Sequence, residues 1–490
     1  MSWRIALALF GITLLTRLPF ATTNLYAPDS VLYARGMERF DPFDQRPQPP
    51  GYLWYILVLR AVAFLTADAN RAMTIVSAVA GAATVALVYL LGARLYGERT
   101  ARVAAIFVIT AVTFWAYGGV AYPYTVLAAL TTLCALLFWR ALEPAVSRSR
   151  RGGRLAVASA AWGLAVGFRS DLAIFLAPLW LLVASQATLA AAAVSAMIVA
   201  ALVGAWVLAS AGADGGLTRF LEAVRVQSQF VDDRYSVFAN GPIAIYRNSY
   251  ELARFVGRGL YTLIPLAAVV FLSAEARRVE LRDRMRTAFI LIWTFAPLPF
   301  YVFVHVGEYG YVFSMLPGLA ILAARGAIAT AKGLRMPRTF RWIVAAAALG
   351  NAAIFLLSDS PISARDIARH DRGIDEKVAY LSTFPPETTQ VVTAYDALLV
   401  THYLQGPPVL SYDPAADPSF TLPLSCASAP PRMPCAQSSV DVVLWDDLLR
   451  ADGPGWREVR MPHGSRLRIA RVSRGSSLRV SEGLGVEVVP

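Results

Sequence analysis

The side chains able to do chemistry are gathered into a few polar stretches of an otherwise apolar chain. The longest runs from Asn24 to Tyr55, NLYAPDSVLYARGMERFDPFDQRPQPPGYLWY. In it Asp29 heads a short amphipathic run that carries Tyr33, and Asp41, Asp44, Arg46 and Gln48 follow among prolines. Arg17 precedes the stretch, and three further groups lie far along the chain: Arg169 with Asp171, Asp232 and Asp233 with Arg234, and His305 with Glu308 and Tyr311. Arginine grips phosphate through paired N–H donors, and a carboxylate takes a proton from an incoming hydroxyl. Together they suit transfer of a group from a phosphate to a hydroxyl. The chain has no glycine-rich phosphate loop, no HExxH or Cys/His zinc spacing, no GxSxG elbow and only four histidines.

Each of these residues also has a structural reading, and the sequence leaves both open. Asp29 stands where a helix N-cap would. Asp41 and Asp44 flank Pro42 as turn formers do. Arg17, near the end of an apolar run, can snorkel to the interface, and Arg169 with Asp171 can be a local ion pair at a helix end. His305 suits a core or interface position, and Tyr122-Pro123-Tyr124 suits either an aromatic belt or the wall of a sugar pocket.

The elements that must position these groups follow from composition. With 57% hydrophobic residues, 16% charged residues and a mean hydropathy of +0.51, the 490 residues read as an α-helical polytopic membrane protein. Apolar runs at 3–21, 72–92, 103–118, 124–141, 155–168, 171–186, 189–210, 256–273, 287–304, 311–329 and 341–357 give about eleven spans. The first is read as a retained span, because no small-residue cleavage site follows it. The net charge of +12 is concentrated in loops around Arg94–Arg102, Arg140–Arg154, Arg277–Arg286 and Lys332–Arg341. That is the positive-inside pattern, so the charge reports orientation and not a nucleic-acid partner. Parity from an inside N-terminus puts Asn24–Pro50, Gly118–Pro123, Arg169–Asp171, Ala211–Arg254 and His305–Gly310 outside, with the candidate chemistry. The run 51–66 decides this. If it crosses, the Asp29 loop is cytoplasmic; the reading adopted is an interfacial helix, because the run is short, carries Arg60 and is edged by Trp54 and Tyr55. Carboxylates and arginines on one face of a membrane domain then suit a lipid-linked phosphate as the leaving group.

Beyond Leu357 the apolar runs stop. The expectation is a membrane domain over 1–357 and a small α/β domain over 358–490. Helices are expected at 371–383 and 397–404, and strands at 390–394, 409–412, 440–445 and 466–472. By parity this domain is extracytoplasmic, where Cys426 and Cys435 either pair or stay free, while Cys134 is an apolar filler within a span.

Taken in order, an apolar helix with Arg17, a polar approach to Asp29, then SVLYARGM, QPPGYLWYILVLRAV and NRAMTIVSAVAGAATVALVYLLGARLYGERTARVAAIF resemble the amino-terminal half of the GT-C membrane glycosyltransferases. The relevant relatives are bacterial members of the protein O-mannosyltransferase superfamily, including aminoarabinose transferases that modify lipid A. The resemblance is good to about residue 200, weaker to about 330, and only architectural in the tail. It implies a catalytic aspartate in the loop after the first span and a Pro-Pro segment that opens a juxtamembrane helix which does not cross. It also implies a sugar donor on polyprenyl phosphate or pyrophosphate, and transfer on the outer face with inversion at the anomeric carbon. Matched position by position, Asp29 is the general base.

Three departures from the family pattern stand out. Ser30 follows Asp29 where many members have a Glu, so a second acid is vacant or supplied by Asp41 or Asp44. Gln48 replaces a lysine before Pro-Pro, which throws phosphate binding onto Arg17, Arg46 or Arg169. EYGYVFSMLPG offers Glu308 and Tyr311 where relatives have an Arg-Tyr pair. The substrate-binding candidates are thus Arg17, Tyr33, Asp44, Arg46, Gln48, Arg169, His305, Glu308 and Tyr311. No metal ligand is assigned, and a divalent cation (Mg or Mn) stays open. The expected partners are a polyprenyl-phosphate-linked sugar, a lipid, glycan or protein acceptor, and the lipids of a bacterial inner membrane. A transporter or flippase of lipid-linked saccharides is the alternative; it would bury charge near the midplane and show internal repeats, which this chain does not. A non-catalytic assembly subunit would follow if the Asp29 loop were cytoplasmic.

Overall fold

The computed structural model describes residues 2–143, 146–333, 339–404, 406–407, 409–411, 420–423, 439–473, 476–481 and 483–489. The chain forms two compact units, Met1–Ala21 with Tyr33–Arg365, and Thr22–Leu32 with Asp366–Pro490. The second therefore takes in the segment that leads to Asp29, as well as the tail.

The first unit is helical: α1 (Trp3–Arg17), α2 (Pro28–Glu38, which begins in the second unit's segment), α3 (Leu53–Thr66), α4 (Ala69–Tyr96), α5 (Glu98–Thr110), α6 (Val112–Tyr117), α7 (Tyr124–Leu142), α8 (Arg148–Phe168), α9 (Leu172–Ala184), α10 (Leu189–Ala213), α11 (Leu217–Tyr235), α12 (Val237–Asn240), α13 (Pro242–Leu260), α14 (Ile264–Leu272), α15 (Ala274–Glu280), α16 (Arg284–Phe295), α17 (Leu298–Phe303), α18 (Leu316–Gly333) and α19 (Thr339–Leu357). Each expected span coincides with helix. Seven helical stretches among the described residues are long and apolar enough to cross a membrane. Three of the remaining expected spans fall short for visible reasons. The path through α5 and α6 breaks where Ala111 is extended (φ −60°, ψ 120°), α8 opens on Arg148, Arg150, Arg151 and Arg154, and α9 has only 13 residues. Helices approach closely at small residues: a Cβ on Gly326 of α18 would meet the Leu266 carbonyl oxygen of α14 at 1.6 Å.

Helix α3 is too short to cross a membrane on its own. Its 14 residues extend about 21 Å, well short of a hydrocarbon core of about 30 Å. Gly51 (φ +101°) and Tyr52 (φ 50°) turn the chain into it, and a Cβ on Gly51 would lie 2.7 Å from Phe40 Cζ. From α3, Arg60 donates to the Met37 and Gly36 carbonyls at 2.8 and 3.0 Å, satisfying the end of α2. The segment 211–254 was legible only as a polar loop, yet it forms α11 to α13. Ala244, Asn248, Leu252 and Phe255 recur at helical spacing on the buried face of α13, so amphipathic periodicity overrides polar composition there.

In the second unit, helices α20 (Ala364–Leu381) and α21 (Ala397–Tyr403) cover one face of a five-stranded sheet built from β1 (Thr389–Thr393), β2 (Val409–Ser411), β4 (Ser439–Leu444), β6 (Trp456–Arg460) and β7 (Arg466–Ser473), in the order β2-β1-β4-β7-β6. A second sheet has β3 (Phe420–Pro423), β5 (Arg450–Asp452), β8 (Ser477–Val480) and β9 (Gly485–Val489), in the order β3-β8-β9-β5. Strand alternation sorts the two cores. Val391, Val443, Leu467 and Ile469 face the helices, whereas Val392, Val442, Ala470 and Val472 pack with Leu478, Val480 and Val486 of the second sheet. Cys426 and Cys435 lie outside the described residues, and Cys134 is buried in α7.

Candidate active site

Arg169 is the centre of a buried polar and aromatic cluster in the helical unit. It caps α8 in an extended conformation (φ −155°, ψ 113°), just where the charged Arg169–Asp171 break separates two apolar runs. Only 7% of it is exposed. Its Nε donates to Asp171 Oδ2 at 2.8 Å, and its guanidinium lies 5.0 Å from the ring centroid of Tyr124 and 4.7 Å from that of Tyr311. Tyr124 opens α7, and Tyr311 sits in a 310 helix over Tyr309–Ser314. Tyr52, immediately before α3, adds its phenol to the surroundings of the guanidinium.

From this centre the network extends in two directions. Toward α2, the rings of Tyr52 and Tyr55 pack edge-on against Tyr33 at 5.3 and 5.4 Å, and Gln48 Nε2 donates to the Tyr33 hydroxyl at 3.2 Å. Toward α17, His305 packs against Tyr311 at 5.3 Å and Tyr235 at 4.4 Å, and the buried Tyr301 hydroxyl donates to the Tyr311 carbonyl at 2.6 Å. The Tyr117 hydroxyl donates to Glu308 Oε2 at 3.2 Å. Tyr33, Gln48, Arg169, His305, Glu308 and Tyr311 are thus drawn into one aromatic-lined network. Burial, with Arg169 and Arg247 nearby, pushes the His305 imidazole down to about 4, so it is neutral at physiological pH. Four buried polar atoms here, Gln48 Oε1, the Tyr55 hydroxyl, Asp171 Oδ1 and His305 Nδ1, have no hydrogen-bond partner among the described residues. Unsatisfied buried atoms of this kind are costly, and they mark places where a polar ligand would be received.

Arg17, Asp44 and Arg46 lie elsewhere. Arg17 is fully buried between helices: it donates to the Ile109 carbonyl at 2.7 Å and to Thr16 Oγ1 at 3.0 Å, and stacks 5.0 Å from Trp115. Asp44 and Arg46 belong to a second charged cluster. Asp41 caps a 310 turn over Pro42–Asp44 and pairs backbone to backbone with Arg46. Arg219 at the start of α11 stands 2.9 Å from Asp41, 3.6 Å from Asp44 and 3.7 Å from Asp214. Burial acts to raise the Asp41 pKa, but the Asp44 amide and the Arg219 and Arg39 guanidiniums outweigh it and hold it low; at Asp214 burial prevails and the pKa is raised. Among the described residues no group of three or more His, Cys, Asp or Glu is arranged to hold a metal ion.

Asp29 is half-buried in the first turn of α2, where the positive end of the helix dipole favours a carboxylate. Tyr52, Tyr301, Tyr235, Arg247 and Arg219 were not singled out from sequence. Each sits among apolar neighbours or on an amphipathic helix, so neither spacing nor motif marks it.

Residues 47–210 match the model of the dolichyl-phosphate-mannose-protein mannosyltransferase family. No curated protein matches the chain. The fold is similar to that of ArnT from Cupriavidus metallidurans, in the apo state (TM-score 0.55, 14% identity, 95% of this chain and 96% of that chain covered) and bound to undecaprenyl phosphate (TM-score 0.52, 15% identity, the same coverage). It is also similar to the Archaeoglobus fulgidus oligosaccharyltransferase tethered to an acceptor peptide containing the NVT sequon, with TM-score 0.50, 15% identity, and 84% of this chain and 64% of that chain covered. The chain is therefore a multi-pass membrane protein with the GT-C fold of the membrane glycosyltransferases, and its residues 47–210 carry the match to their mannosyltransferase family.

Proposed function

We propose that the protein transfers a sugar from a polyprenyl-phosphate-linked donor to a hydroxyl of a glycan, lipid or protein acceptor, on the extracytoplasmic face of a bacterial inner membrane. In this reading Asp29 takes the proton of the acceptor hydroxyl, and the acceptor oxygen attacks the anomeric carbon from the face opposite the phosphate. The bond from that carbon to the phosphate oxygen breaks, and the electron pair leaves with the polyprenyl phosphate, inverting the configuration. Arg169 holds the departing phosphate, while Tyr33, Gln48, His305, Glu308 and Tyr311 contact the donor.

The observation that carries this reading is the Arg169 centre. It is a nearly buried guanidinium between two tyrosine rings, with four unpartnered polar atoms among the described residues of the surrounding network, in a fold whose neighbour ArnT has been crystallised with undecaprenyl phosphate. A charge-assisted contact to phosphate is worth about 1.5–3 kcal/mol, or roughly ten- to a hundredfold in affinity. Titrating undecaprenyl phosphate into the purified protein tests the assignment: Arg169→Ala is expected to lose affinity by that factor and Arg169→Lys to recover part of it. Wild-type affinity in Arg169→Ala would remove Arg169 from the phosphate site.

A further inference from the structure

The backbone that leads into Asp29 is held by side chains of the carboxy-terminal domain. Asp371, on α20, accepts from the amides of Thr23 (3.1 Å to Oδ1, 3.0 Å to Oδ2) and Asn24 (2.8 Å to Oδ1), and from the Thr23 hydroxyl at 2.8 Å. One turn further along α20, Asp375 accepts from Asn24 Nδ2 at 2.8 Å, and the same amide donates to the Asp371 carbonyl at 3.1 Å. The Leu25 amide donates to the Tyr403 hydroxyl of α21 at 2.6 Å. His370 Nε2 lies 2.9 Å from the Tyr26 carbonyl, with the two rings packed edge-on at 5.3 Å. Four consecutive residues, 23 to 26, are thus fixed by two helices 344 to 378 positions away in sequence. Two residues later α2 starts, with Asp29 in its first turn and the Ser30 amide bonded to the Ala27 carbonyl.

We propose that Asp371 is a positioning residue: its carboxylate fixes the Thr23–Asn24 backbone and through it the first turn of α2, and so the direction of the Asp29 carboxylate. The proposal rests on the reading of Asp29 as the base and gives the carboxy-terminal domain a part in catalysis. The physical case is the number and kind of bonds. A carboxylate that accepts three donors from two adjacent residues restrains both in orientation as well as position, which one neutral hydrogen bond does not. Asp371 and Asp375, four residues apart, share a helix face, so α20 offers Thr23 and Asn24 two acceptors in fixed register. A base must stay within hydrogen-bond reach of the hydroxyl it deprotonates, and an error of about 1 Å in such a group costs on the order of a hundredfold in rate.

The test uses the full-length protein in detergent and two independent readouts. Hydrogen exchange over residues 22–32 reports the restraint itself. Turnover of the polyprenyl-phosphate-sugar fraction extracted from host membranes, with the total lipid extract of the same membranes supplying acceptor hydroxyls and release of polyprenyl phosphate followed, reports its consequence. In Asp371→Ala the amides of Thr23 and Asn24 are expected to lose protection by about tenfold or more, and kcat to fall about 30- to 100-fold with KM for the donor unchanged. Asp371→Asn keeps one acceptor oxygen and is expected to recover most of both. Tyr403→Phe, which removes the hydroxyl that accepts from the Leu25 amide, is expected to show a smaller drop of the same pattern. Unchanged exchange in both Asp371→Ala and Tyr403→Phe overturns the anchor. Lost protection with an unchanged kcat overturns the catalytic role and leaves a strut. Asp29→Asn separates this from the reading beneath it: full turnover there defeats the base assignment, while its exchange pattern still reports the anchor.

Discussion

Gly310 lies in the 310 helix beside Tyr124, and a Cβ at that position would stand 2.0 Å from Tyr124 Cγ and 2.2 Å from Cδ2. Its φ is not in the left-handed region, so Gly310→Ala adds steric conflict without backbone strain. Ordinary carbon contacts need about 3.5 Å, so either the Tyr124 ring or the 310 backbone must give about 1.5 Å. Overpacking of this kind costs about 1–3 kcal/mol of stability. The catalytic effect is expected to be larger, because Tyr124 flanks the Arg169 guanidinium at 5.0 Å and stacks on Tyr122 at 5.0 Å. On the role proposed for Arg169, a displacement of that size costs about a hundredfold in kcat/KM. Sugar transfer and thermal unfolding of the purified variant give the two numbers. A variant with wild-type turnover and wild-type unfolding would show that the Tyr124–Arg169 packing is not what positions the donor.

Other expectations follow from the titratable groups and from the charged cluster on α11. His305 titrates at about 4 when folded and about 6.5 when unfolded, so the unfolded chain binds the extra proton first as pH falls. The stability it contributes is complete above pH 6.5 and is lost between about 6.5 and 4, worth about 3 kcal/mol; the stability difference between wild type and His305→Asn should change within that window and stay constant above it. Removing Arg219 leaves the carboxylates of Asp41 and Asp214, 2% and 0% exposed, with less compensation. Arg219→Gln is expected to cost about 2–3 kcal/mol near pH 7.5 and less as the pH is lowered, since burial already raises the Asp214 pKa and its protonation relieves the uncompensated charge; a loss independent of pH would count against the coupling.

How much of this the sequence discloses depends on the length scale of the interaction. Spans are legible because each needs a run of apolar residues, and the α8–α9 break is legible because Arg169 and Asp171 interrupt one. The strands 440–445 and 466–472 show as alternating or β-branched runs, whereas β5, with 3 residues, and β8, with 4, are too short to carry a period. Helices α11 and α13 were hidden by their polar residues, since composition outweighs an amphipathic stripe when a loop is expected. The grouping of Arg169 with Tyr33, Gln48, His305, Glu308 and Tyr311 was partly foreshadowed by a shared membrane face, but the linking rings of Tyr52, Tyr124 and Tyr301 come from three separate elements. Arg17 shows what spacing leaves out: the sequence offers it for a phosphate contact or for snorkelling, and the fold buries it with its Nη atoms on the Ile109 carbonyl and Thr16 Oγ1. The attachment of Thr22–Leu32 to the tail was invisible, because it is made by individual hydrogen bonds between distant residues, which leave no period and no motif.

The most direct measurement is sugar transfer by Asp29→Asn, made on protein whose elution, unfolding temperature and undecaprenyl phosphate affinity match wild type. The amide has nearly the shape of the carboxylate but cannot take the acceptor's proton. Transfer is expected to fall by about 10²- to 10⁴-fold, with donor binding retained. Transfer at the wild-type rate would contradict the assignment of Asp29 as the base and, with it, the mechanism proposed for this chain.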